Sequence, residues 1–265
     1  MSKSKKVYVN PWGGVIDGKY SLSAIAFMRE LEMLEYLILY ILAADRVFTT
    51  RYEELREDTL EYIKSLNPRF EENFNHILKN QADILILRSR TYEGLLSQMV
   101  YNRSIENFLL YLKNILAEVI QVKPQLLKSG ETERLDFILD FDDINELRKA
   151  LSDKKIESFF YEGFKEINKF YETRLGIKLV ESKKDLDKLV MMTKVRNLIV
   201  HNAGKINLDF KKQFPEFPLK VGASLKFSYK EIIDENSFIF KSVQNIDTKI
   251  TGKFGLSLIP VKGTE

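Results

Sequence analysis

Lys194-Val195-Arg196-Asn197-Leu198-Ile199-Val200-His201-Asn202-Ala203-Gly204 holds one of the two histidines in the 265-residue chain, with an arginine and an asparagine within two turns of it. Successive residues of an α-helix are about 100° apart. Asn197 and His201, four residues apart, therefore share a face, and Arg196 lies at its edge. Leu186, Leu189, Met192, Val195 and Ile199 recur at intervals of three and four and form a stripe to be buried. Ser182 and Asp185 have the spacing of a capped start, and Gly204 is placed as a C-terminal stop. The stretch is predicted as an amphipathic helix that carries His201 in its last turn.

These residue types suit phosphate chemistry. An arginine forks onto two phosphate oxygens and stabilises charge that builds up in a transition state. A histidine moves a proton near neutral pH. An asparagine one turn before it can bond the imidazole and fix its tautomer. Together these are the parts that metal-free cleavage of RNA by its own 2′-hydroxyl needs. Lys194 and Asn202, on either side, are candidate substrate contacts. The spacing by itself is a weak signal, and a surface arginine beside a histidine that bonds helix-end carbonyls would give the same letters.

Arg196-Asn197-Leu198-Ile199-Val200-His201-Asn202-Ala203-Gly204 resembles the signature of the HEPN superfamily, helical domains with an arginine, a polar residue and a histidine near the end of a bundle helix. The resemblance runs from about Tyr101 to Gly255, loosely outside the motif. It implies a helical bundle in which Arg196 and His201 are catalytic and Asn197 supports them. It also implies metal-independent endoribonuclease activity on RNA, without a cofactor, in a toxin or phage-defence role and with an antitoxin or defence-system partner. Family members pair, so the resemblance implies a homodimer with a composite site. Other members keep the fold and lack activity, which leaves an RNA- or nucleotide-binding or scaffold role as the alternative.

Composition sets the outer limits. Hydrophobic residues make up 45% and charged residues 30%, ordinary for a globular chain. With no cysteine there are no disulfides or thiolate metal sites, which fits a cytoplasmic protein. The lysine-rich start has no apolar core of a signal peptide. Net charge is only +3, but residues 183–265 hold 15 Lys and Arg against 9 Asp and Glu, so the part with the motif is the basic part.

Outward from the motif, the pattern predicts a mainly α-helical protein. Residues 1–92 form an N-terminal helical portion, 93–256 a HEPN-like bundle and 257–265 a tail. Ser21 caps a helix over 21–47 with Leu22, Ile25, Met28, Leu31 and Leu34 on one stripe. Its apolar run from Tyr36 to Ala44 is far too short to cross a membrane, which takes about 20 residues, and reads as core or as a dimer face. Helices follow over 50–66 and 69–90. His76, on the second, has no partner spaced for a metal site, and Trp12 reads as a packing anchor.

Ile105, Phe108, Leu109, Leu112, Ile115, Leu116 and Val119 give a strong stripe over 92–122, closed by Pro124. Asp136, Asp140, Asp142 and Asp143 read as caps and turns before a short helix at 142–151 rather than a metal loop. An aromatic helix over 155–176 has Gly163 for a close approach, with Tyr161 and Lys165 off its stripe. A small strand or hairpin is predicted over 221–229, then a last helix through Ile239, Val243, Ile246 and Ile250, then a loose tail from Lys253.

Overall fold

The computed structural model describes residues 18–50, 65, 93–128 and 132–261. The helix predicted over 69–90, nearly all of that over 50–66, Trp12 and His76 lie outside them. Among the described residues the chain is mainly helical: α1 (Leu22–Thr50), α2 (Glu93–Val122), α3 (Leu135–Leu139), α4 (Ile144–Glu162), α5 (Phe164–Phe170), α6 (Lys183–His201), α7 (Leu208–Gln213) and α8 (Tyr229–Phe254). The sheet is two strands, β1 (Gly18–Tyr20) and β2 (Ile259–Val261). None of the described helices is long and apolar enough to cross a membrane.

The central helix is α2, which touches α1, α8, α4 and α6. Its stripe does what the spacing requires: Ile105, Phe108, Leu112, Ile115, Leu116 and Val119 are all buried. Each such side chain contributes about 1.5–3 kcal/mol by leaving water. Ala24, Phe27 and Leu31 of α1 enter the same core as Val195 of α6 and Ile246 of α8. Leu22, predicted on the α1 stripe, is instead 63% exposed. Most of the apolar run on α1 also points outward. Ile38 is buried, whereas Tyr36, Leu37, Leu39 and Tyr40 are exposed.

Two boundaries differ from the periodicity. A single α4 replaces the predicted break between 151 and 155, started by Asp143, whose carboxylate accepts from the Asn145 N–H at 2.9 Å. The break falls at Gly163, which has φ of 103° and no neighbour in the way of a Cβ. Gly163 is there for its backbone conformation rather than for a close approach. Beyond it, α5 runs into a π-helical turn over Tyr171–Leu175, whose buried Tyr171 hydroxyl donates to the Leu112 carbonyl at 2.5 Å.

The strand also lies elsewhere than its predicted place. Residues 221–229 hold a turn at Val221–Gly222 and one isolated bridge between Lys205 and Ser224. The paired strand near the C-terminus is Ile259–Val261, in the stretch predicted as loose, lying antiparallel to Gly18–Tyr20. Beside this pairing, Asp247 of α8 is buried and accepts from the Ser21 N–H at 3.0 Å and the Ser21 hydroxyl at 2.5 Å. Ser21 in turn caps α1 through the Ala24 N–H at 3.0 Å.

Burial raises the Asp247 carboxyl above its ordinary value, against the opposing bonds from Ser21. A carboxyl raised in the fold contributes most when protonated. That contribution is full below its unfolded value and is lost as pH rises through its folded value. Asp247→Ala is expected to cost about 2–3 kcal/mol. Urea unfolding at about pH 5 and pH 8 should show the larger cost on the acid side.

Candidate active site

Helix α6 delivers the motif as its register requires. Ser182 caps it, its hydroxyl accepting from the Asp185 N–H at 3.0 Å, and Leu189, Met192, Val195 and Leu198 are buried. With that stripe held inward, Lys194, Asn197 and His201 are exposed and Arg196 sits at the edge of the core. The helix closes when the Asn202 and Gly204 N–H groups both reach the Leu198 carbonyl, with Ala203 and Gly204 at positive φ. This leaves His201 on the last helical residue.

These side chains share an open groove of about 440 Å³ between α6, the start of α5 and one residue of α7. Lys194, Arg196, Asn197 and His201 line one wall. Lys165 of α5 and Gln213 of α7 join them, with Phe160 and Leu109 on the apolar side. None of the described lining residues is acidic. Three permanent cations and an imidazole thus face a space large enough for a nucleotide-sized ligand. Asn202 is not part of this lining: its amide donates to the Lys205 carbonyl at 2.6 Å and closes the turn after α6.

Arg196 is held in place. Its Nη2 donates to Oε1 of Glu106 on α2 at 2.7 Å, and its Nη1 donates to Oδ1 of Asn197 at 3.2 Å. Asn197 therefore serves the guanidinium, rather than the imidazole as its spacing suggested. The second oxygen of Glu106 lies 3.7 Å from Nη1 of Arg103, and the Nε of Arg103 donates to Glu30 of α1. A chain of alternating charge so runs from α1 across α2 to α6. The side chains of Arg196 and Glu106 are 23% and 30% exposed, so removing either partner would leave the other as a part-buried charge without its counter-ion. The Nε of Arg196 is buried without a protein partner, a donor whose lost hydration costs about 1–3 kcal/mol until something accepts from it.

Glu106, Lys165 and Gln213 enlarge the site beyond the motif. Lys165 had one signal, its place off the aromatic stripe. Glu106 had none, because it meets Arg196 only through the packing of α2 on α6, 90 residues apart in sequence. Among the described residues no three acidic or histidine side chains are grouped to hold a metal ion. Compared with known proteins, the chain matches no family model, no curated protein and no solved structure.

Proposed function

We propose that the chain is a HEPN-type endoribonuclease that cuts RNA without a metal ion, through attack of the 2′-hydroxyl on the adjoining phosphate. The observation that carries this reading is the groove itself: Arg196, Asn197, His201, Lys194 and Lys165 line one open space whose described walls bear no carboxylate. A phosphodiester is the ligand for which that combination is complementary. In the reaction, one imidazole takes the 2′-hydroxyl proton as the O2′–P bond forms. The P–O5′ bond breaks and the departing O5′ receives a proton from a second group. The ends are a 2′,3′-cyclic phosphate and a 5′-hydroxyl. Arg196 and the lysines stabilise the phosphorane-like charge.

One groove supplies one imidazole, and acid and base belong on opposite sides of the phosphorus. A homodimer answers this, with His201 of the partner subunit completing the set across a two-fold axis. The exposed apolar side chains along α1, including Met33, Tyr36 and Tyr40, support association, since patches of that kind mark interfaces. We place the activity in the cytoplasm, in a toxin or defence role that calls for a neutralising or regulatory partner.

The second reading, an RNA- or nucleotide-binding protein without turnover, draws on one observation: Glu106 neutralises Arg196 and occupies part of its fork. The test is a fluorescent single-stranded RNA incubated with the protein in EDTA, beside sedimentation at micromolar concentration. Cleavage in EDTA by a dimer is the expected result. Tight binding without cleavage favours the second reading, and cleavage that needs added metal overturns the first.

A further inference from the structure

A second, larger groove of about 800 Å³ lies between α4 and the turn that follows α2. Its floor is apolar, from Pro124, Leu127 and Leu151. Its rim is cationic: Lys128, Arg148, Lys154 and Lys155 stand against a single carboxylate among the described lining residues, Glu133. That carboxylate is already engaged, accepting from Nζ of Lys154 at 2.8 and 2.9 Å through its two oxygens. Lys154 is also fixed over the Phe137 ring, 5.1 Å from its centroid. Lys128 and Arg148 are exposed. Among its described lining residues the balance is therefore positive, and Glu133 does not cancel it. No aromatic side chain is among its described lining residues. The fit is to a chain of phosphates rather than to stacked bases.

Helix α4 connects this groove to the candidate active site. Ser158 lines the first, and Phe160, two residues further along the same helix, lines the second. We propose that the second groove is an exosite for the phosphodiester backbone of single-stranded RNA flanking the cleaved bond, so that the enzyme selects strands long enough to fill both. The assignment rests on the ribonuclease reading for its cleavage arm and on charge complementarity alone for its binding arm.

The test uses the full chain and the double charge reversal Lys128→Glu with Arg148→Glu, both exposed positions outside the catalytic groove. Oligouridines of about 4 and about 16 nucleotides are the probes. Fluorescence anisotropy gives affinity across a salt series, and gel electrophoresis gives cleavage of each. In the wild type the long strand is expected to bind at least about 10-fold tighter than the short one. In the variant this advantage is lost, the salt slope for the long strand falls by about 1.4 for two lost contacts, and cleavage of the short strand is unchanged. Unaltered affinity and slope for the long strand overturn the exosite and leave the apolar floor to a protein partner such as an acidic helix. A wild type that cuts neither strand, yet loses long-strand affinity on charge reversal, overturns the ribonuclease reading and supports the exosite.

Discussion

His201→Ala is expected to slow RNA cleavage by about 10²- to 10⁴-fold, the range for loss of a positioned acid or base, with the fold left intact. The imidazole is exposed on the last residue of α6 and is not part of the core. Its removal should change stability by no more than about 0.5 kcal/mol. The two halves of this expectation separate chemistry from folding. Thermal unfolding should superimpose on the wild type, and RNA binding should weaken only slightly, because three permanent cations stay in the groove. A variant that cuts at the wild-type rate removes His201 from the mechanism. A variant that unfolds early gives the residue a structural role that its exposure does not explain.

The second large effect is at Arg196. Arg196→Ala is expected to cost about 10²- to 10³-fold in rate, as for loss of a donor aimed at developing charge. Unlike His201→Ala, it should also destabilise the fold, because the Glu106 carboxylate at the α2–α6 contact loses its 2.7 Å partner. The cost lies between that of an exposed pair and that of a broken buried one, about 1–3 kcal/mol. Glu106→Gln resolves the two roles of the ion pair. It removes the negative charge beside the groove while leaving Arg196 in place, so RNA binding should hold or tighten. It also loosens the guanidinium, so turnover should fall by roughly an order of magnitude. A fall in turnover without loss of affinity marks Glu106 as a positioning residue. Parallel loss of both with a lowered unfolding midpoint marks it as a strut of the fold.

Much of the helical architecture was legible because it depends on local periodicity. The stripes on α2, α6 and α8 each place a row of apolar residues every third or fourth position, and those residues are buried apart from Leu109, Leu186 and Ile199, which are half-buried against the same core. The motif's orientation followed from the same logic: once Leu189, Met192 and Val195 turn inward, Lys194, Asn197 and His201 have to face out. What was not legible depends on distant partners. Three residues at 18–20 pair with three at 259–261, and such short strands carry no pattern of their own. Gly163 broke a helix at a point where the aromatic spacing continued undisturbed.

The electrostatics of the site were hidden for the same reason. Asn197 was assigned to His201 by its spacing along one helix, but a guanidinium one residue away offered a stronger donor. The restraint on Arg196 comes from Glu106, and the restraint on Arg103 from Glu30, each reached across a helix–helix contact. The basic rim of the second groove lies in the part of the chain whose overall charge is negative. A sum over sequence hid it, because among the described lining residues only Glu133 is acidic and it is already paired with Lys154.

The central claim is that the guanidinium and imidazole of α6 act together on a sugar–phosphate backbone. Mass spectrometry of RNA fragments made in EDTA by the wild type and by His201→Ala tests it most directly. The account expects 2′,3′-cyclic phosphate and 5′-hydroxyl ends from the wild type and almost none from the variant. Ends carrying a 5′-phosphate, or the same fragments from both proteins in equal yield, contradict it.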